Sequence, residues 1–267
     1  MQLIPVSALS SWVHCPRQFY LSYVLKIEEP PKDTMILGLI KHKLHEQIAD
    51  NEEKIVTQLK SNENTAATLQ NTYINILKNI IASQANSLRS VQMPLSTAFQ
   101  KALPIAKFEA EELASRIIPL LGKGLTGEAL WHALTPKIKT EYAIQSKKLG
   151  LKGRIDRLEL HPTGILPVEL KSGKAPAEGV WEEHRVQAAS YALLLEDAFS
   201  TTVPEAVVQY VDHNVRRIIV LNPFIKERIA EITAKVRFCL ETKELPKRCG
   251  RENCASCDNK IFAQNQL

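Results

Sequence analysis

No glycine occurs from Leu39 to Leu121. That segment is rich in Ala, Gln, Asn, Leu and Ile and carries heptad-like pieces such as Tyr73-Ile74, Ile76-Leu77 and Ile80-Ile81. Residues 50–121 therefore read as three or four helices, broken near Pro94 and Pro104. Ahead of them, 7–26 reads as an aromatic amphipathic helix, and 34–60 as a helix with Ile36, Leu37, Ile40, Leu44 and Ile48 at helical spacing. After Gly122 the character changes. Residues 137–145, 150–160 and 165–171 alternate like strands, the last two separated by the turn signal His161-Pro162-Thr163-Gly164. A helix at about 180–197, a strand pair within 206–221 and a helix at about 224–242 complete a mixed α/β order.

The 267 residues suit one enlarged domain, or a domain with a subdomain. At 45% hydrophobic and 24% charged residues, a disordered chain is excluded. No apolar run approaches the ~18 residues of a membrane helix, and no signal peptide is evident, so a soluble, cytoplasmic protein with no membrane partner is expected. The net charge of +5 is compatible with a phosphate-backbone partner. The cysteines say more. Cys249, Cys254 and Cys257 form C-x4-C-x2-C and Cys15 lies near the opposite end, a usage that in a cytosolic chain favours metal or iron–sulfur ligation. Cys239 reads as a buried apolar thiol.

If His161–Gly164 is a hairpin turn with a two-residue loop, paired residue numbers sum to 325. Asp156 then faces Glu169, and Arg154 faces Lys171. Directly opposed side chains share a face with Cβ atoms about 4.5–5.5 Å apart. Two carboxylates so close repel unless a cation lies between them, which is how oxygen sites for Mg²⁺ or Mn²⁺ arise. Taken alone, the same charges also read as solvated surface with a cross-strand salt bridge.

Gly153-Arg154-Ile155-Asp156 followed by Glu169-Leu170-Lys171 resembles the G-x-x-D…E-x-K core of the PD-(D/E)XK nucleases. Gln187-x3-Tyr191 and Gly38-x3-His42 resemble elements of their RecB-like branch. Cys15-Pro16-Arg17, with the three C-terminal cysteines, resembles the iron–sulfur members, chiefly the CRISPR-associated Cas-four family. The resemblance covers about 1–48 and 137–260.

It implies a restriction-endonuclease-like mixed sheet flanked by helices: a single RecB-like nuclease domain over 1–267, a helical insertion lobe at 50–130, and a cysteine segment at 239–260. It implies that His42, Asp156 and Glu169 bind Mg²⁺ or Mn²⁺ with the Leu170 carbonyl, His45 being the alternative to His42. Lys171 would orient the attacking water, and Gln187 and Tyr191 would lie beside the site. Cys15, Cys249, Cys254 and Cys257 would hold a 4Fe-4S cluster joining the N- and C-terminal segments, four soft ligands that would equally suit Zn²⁺. The implied function is a metal-dependent exonuclease on single-stranded DNA ends, processing prespacers for a CRISPR integrase. The alternatives are an end-binding adaptor for that integrase and the nuclease subunit of a helicase–nuclease complex. With no G-x4-G-K-[ST] motif in the chain, the last would need a separate motor.

Overall fold

The computed structural model describes residues 2–259 apart from Glu29 and Asn62; residue 260, the end of the expected cysteine segment, lies outside the described residues. A short strand β1 (Ile4–Pro5) leads into α1 (Val6–His14), α2 (Pro16–Phe19) and one wide π-helical turn (Tyr20–Val24). The single helix expected over 7–26 is thus interrupted at Cys15, which is extended at φ −161° and ψ 117°. The cause is Pro16: a residue before proline is pushed out of the helical region, whereas proline itself suits the first helical position.

Next come α3 (Asp33–Thr57), α4 (Thr65–Ser83), α5 (Ala85–Ser90), α6 (Leu95–Gly122) and α7 (Gly127–Ala133). The break at Pro94 is present. The break expected at Pro104 is not, since α6 runs through both Pro104 and Pro119. Both prolines are exposed, as are Gln100 and Ser115 one turn earlier, so the carbonyls that lose an N–H partner lie on the wet side of the helix.

The sheet comprises β1, β2 (Lys137–Ser146), β3 (Leu151–His161), β4 (Gly164–Lys171), β5 (Glu205–Tyr210) and β6 (Val215–Val220), with α8 (Glu182–Phe199) between β4 and β5 and α9 (Pro223–Thr242) last. It is mixed: β1 and β3 are parallel, as are β4 and β5, and the remaining pairs are antiparallel. One core cluster joins α3–α7 to Val168, Leu170 and Val207 of the sheet. The second joins α1, α8 and α9 to Ile155, Leu158, Ala206 and Val208. Helices therefore cover both faces. Among the described residues no helix is long and apolar enough to cross a membrane.

The β3–β4 ladder has the expected register, from His161↔Gly164 to Arg157↔Val168. It stops there, so Arg154 does not pair with Lys171. On that edge of β3, β1 takes Leu151 and Lys152, and residues 153–156 between β1 and β4 lack a ladder partner. Asp156 sits at the mouth of this gap.

Candidate metal centres

Where the ladder ends, side chains replace backbone pairing. Asp156 Oδ2 accepts the Leu170 N–H at 2.9 Å, and Asp156 Oδ1 lies 3.6 Å from His42 Nδ1 on α3. On the neighbouring strand Lys171 Nζ is 2.8 Å from Glu169 Oε1 and donates to Gln187 Oε1 at 2.9 Å. Tyr191, one turn along α8, hydrogen-bonds Gln187. The structure thus brings His42, Asp156, Glu169, Leu170, Lys171, Gln187 and Tyr191 to one place. Leu170 joins through its N–H, its side chain lying in the core with Val168.

His45, one turn from His42, goes elsewhere. It is buried, 3.6 Å from Glu109 Oε1, with neither ring nitrogen hydrogen-bonded. Burial pushes its pKa down to about 4, which keeps the ring neutral at ordinary pH.

Two residues escaped the motif reading. Glu141 of β2 lies within 4.8 Å of His42 and Asp156, ligand atom to ligand atom. By the β2–β3 register it stands across from Asp156, at a left-handed φ of 50° that costs a residue bearing a side chain. His184 is the other. It shares the α8 face of Gln187 and Tyr191 at i, i+3 and i+7, a spacing that could have marked it, and its Nδ1 is 3.1 Å from the hydroxyl of Tyr210, the cross-strand neighbour of Lys171.

The electrostatics follow from crowding anions in a partly dry place. Burial is the largest influence on Glu169, with Asp156 second. Together they override Lys171 and push its carboxyl up to about 8. Burial would also raise Asp156, but His42 and the Leu170 N–H hold it below the usual carboxylate range. His42 is the reverse case: burial disfavours its charge, and Asp156 outweighs burial. Glu169 Oε2 is buried without a partner. His42, Glu141 and Asp156 offer ligand atoms within 4.8 Å of one another, a donor set that fits a hard divalent cation, while the orphaned Glu169 oxygen stands outside that group.

The second centre lies at the α1–α2 break. Cys15 Sγ is 3.6 Å from Cys257 and 3.8 Å from Cys254, Cys249 is 3.5 Å from Cys257, and all four sulfurs lie within 4.8 Å of one another. The Cys249 N–H points at Cys257 Sγ at 3.4 Å, and Arg17 and Arg248 hold the Cys257 carbonyl. Burial pushes the Cys15 thiol up to about 12. At Cys249 the opposing burial is overcome by Arg251, which draws the thiol down to about 6. Four thiols converging from both ends of the described chain could hold an iron–sulfur cluster. Cys239 is buried apart from them, its thiol donating to the Glu244 carbonyl.

The profile of the PD-(D/E)XK nuclease superfamily matches residues 4–261. A CRISPR-associated exonuclease Cas4/endonuclease Cas1 fusion of Myxococcus xanthus is 30% identical over 122 residues, 44% of this chain and 22% of the relative. A CRISPR-associated exonuclease Cas4 of Rhodospirillum rubrum is 28% identical over 106 residues, 39% of this chain and 32% of the relative. The DNA replication ATP-dependent helicase/nuclease DNA2 of Gallus gallus is 26% identical over 204 residues, 72% of this chain and 20% of the relative. The chain thus spans a third or less of the length of these curated relatives.

Proposed function

Since the chain belongs to the PD-(D/E)XK nuclease superfamily, we propose that it is a divalent-metal-dependent deoxyribonuclease acting as an exonuclease on single-stranded DNA ends. The observation that carries this is Asp156 grouped with His42 and Glu141, with Glu169 carrying an orphaned buried oxygen and Lys171 bridging from Glu169 to Gln187. His42, Asp156 and Glu169, with the Leu170 carbonyl, are the proposed ligands, and Mg²⁺ or Mn²⁺ matches their hardness. Such an ion, when bound, lowers the pKa of water and offsets charge growing on the phosphate. Lys171 positions the attacking water and faces the phosphate. Gln187 orients Lys171, and Tyr191 holds Gln187 in turn. Residues 50–130 are read as a helical lobe inserted in one nuclease domain.

The four cysteines are proposed to hold a 4Fe-4S cluster that ties 239–260 to the start of the chain and leaves no coordination position open for chemistry. Zinc is the second reading, for a specific reason. Three sulfur pairs 3.5–3.8 Å apart match the tetrahedron around one ion bound at about 2.3 Å. The Cas4/Cas1 names of the relatives support a role in processing prespacers for an integrase. The match to a helicase/nuclease supports, as the alternative, a nuclease unit working beside a separate motor.

The test is an anaerobic preparation analysed for iron, sulfide and zinc and then given end-labelled single-stranded DNA with Mn²⁺. Shortening that vanishes in Asp156→Ala and Lys171→Ala, with metal content unchanged, is expected. Full activity in both variants would sink the assignment. Binding without shortening, unless an integrase is added, would favour the adaptor.

A further inference from the structure

α8 sets a row of polar side chains over three neighbouring strands. Tyr191 lies against Gly153 of β3, so close that an added Cβ would come within 2.5 Å of its ring. Gln187 accepts from Lys171 of β4, and His184 meets Tyr210 of β5. Lys171 and Tyr210 are themselves cross-strand neighbours. His184 is thus the next group along the helix face that already holds Lys171 through Gln187.

The neighbours of the His184 ring place its proton. Tyr210 is fully buried, and among the described residues its hydroxyl has two hydrogen-bond partners, the Trp181 N–H at 3.3 Å and His184 Nδ1 at 3.1 Å. The backbone amide can only donate. The hydroxyl proton therefore goes to Nδ1, since a buried O–H left without an acceptor is costly. A neutral imidazole that accepts at Nδ1 carries its own proton on Nε2. That nitrogen has no hydrogen-bond partner among the described residues and is not one of the buried orphan atoms, so a ligand can reach it. Burial first, and the Lys171 ammonium second, push the ring's pKa down to about 4, which keeps it an uncharged donor at ordinary pH.

A fixed, uncharged N–H beside a lysine suits a narrow class of ligand. Lys171 would repel a second cation, so a hydrogen bond given without charge is what this place allows. Its acceptor is an anion that Lys171 also attracts, and in a nuclease that anion is a phosphate. We propose that His184 Nε2–H donates to a nonbridging oxygen of a backbone phosphate in the nuclease site, with Tyr210 as the positioning residue that fixes the donor. The inference rests on the nuclease reading and adds to it one substrate contact and the group that holds it. Tyr210 does not touch the substrate; its hydroxyl decides which ring nitrogen offers the proton.

Two measurements test this. Nitrogen NMR of protein with isotope-labelled histidine at neutral pH should show His184, assigned by the loss of its signals in His184→Leu, protonated on Nε2. Tyr210→Phe should give a mixture of both tautomers. A proton on Nδ1 in the unsubstituted protein would overturn the proposal. The second measurement is an anisotropy titration in EDTA, where nothing is cut, with fluorescent DNA oligonucleotides that carry one neutral methylphosphonate at successive positions. His184→Leu should weaken binding of the unmodified oligonucleotide about tenfold and Tyr210→Phe about threefold. Several methylphosphonate positions should cost the unsubstituted protein affinity, and His184→Leu should be indifferent to one of them. A position profile that His184→Leu leaves unchanged would also overturn the contact. Should His184→Leu fail to fold, His184→Ala takes its place in both measurements. DNA that binds but stays uncut in Mn²⁺ would sink the nuclease reading, while the methylphosphonate comparison still judges His184.

Discussion

Lys41 of α3 forms an ion pair with Asp212, just beyond β5, and its side chain is only 5% exposed. The other carboxylate oxygen of Asp212 accepts the Gly173 N–H at 2.7 Å, two residues past Lys171. The pair therefore fastens the helix that carries His42 to the strand end that carries Lys171. Lys41→Met should cost about 2 kcal/mol, below the range for fully buried pairs because Asp212 is a quarter exposed. That corresponds to a melting temperature lower by about 5 °C. Calorimetric titration with Mn²⁺ should also show weaker binding. A variant that melts lower yet binds Mn²⁺ unchanged would mean that the latch serves stability alone.

Glu141 should have opposite effects with and without metal. Its carboxyl is raised by burial and then by Asp156, so in the metal-free protein it is one anion too many. Glu141→Gln should raise the melting temperature in EDTA and weaken Mn²⁺ binding about tenfold. Thermal scans of both proteins in EDTA and in Mn²⁺ would reveal the crossover. A shift of the same sign in both conditions would remove Glu141 from the site.

Gly153→Ala should destabilise by about 1–3 kcal/mol, because the new methyl meets the Tyr191 ring rather than open space. Tyr191→Leu should recover much of that loss in a double-mutant cycle. Additive losses would place the strain elsewhere.

His45 supplies a pH dependence. Its folded pKa near 4 lies below the ordinary 6.5, so the unfolded chain binds a proton between those values that the folded chain refuses. Stability is fully present above pH 6.5 and falls as pH drops toward 4, by roughly 3 kcal/mol at most. His184, also lowered to about 4, adds to the same window. Urea melts at pH 7 and pH 4.5 should show a smaller acid loss in His45→Gln than in the unsubstituted protein. An equal loss would show that His45 does not titrate in this way.

How far the site could be read from sequence depended on where a turn pins the register. His161-Pro162-Thr163-Gly164 fixes the β3–β4 hairpin, and from it Asp156 and Glu169 come out as neighbours. The ladder's early end was not legible, because it depends on β1 taking the start of β3, and a two-residue strand leaves no periodic trace. Glu141 was missed for a related reason. The connection 147–150 carries no signal as strong, so β2 could not be registered against β3. Pro104 misled because propensity does not record which side of a helix faces water. Which metal the four thiols would suit depends on sulfur spacing, which no sequence pattern contains.

The convergence of Cys15 with Cys257 changes what a cut in this chain would do. With metal bound, the 241 residues between them are closed into a ring. A protease nick between β2 and β3, at 147–150, would open that ring without releasing a fragment, since both halves stay tied at the cysteines and along the sheet. Removing the metal leaves the two halves held by the β2–β3 ladder and core packing alone. Nicked protein that comes apart at lower urea in chelator than in buffer would register the centre as a molecular clasp.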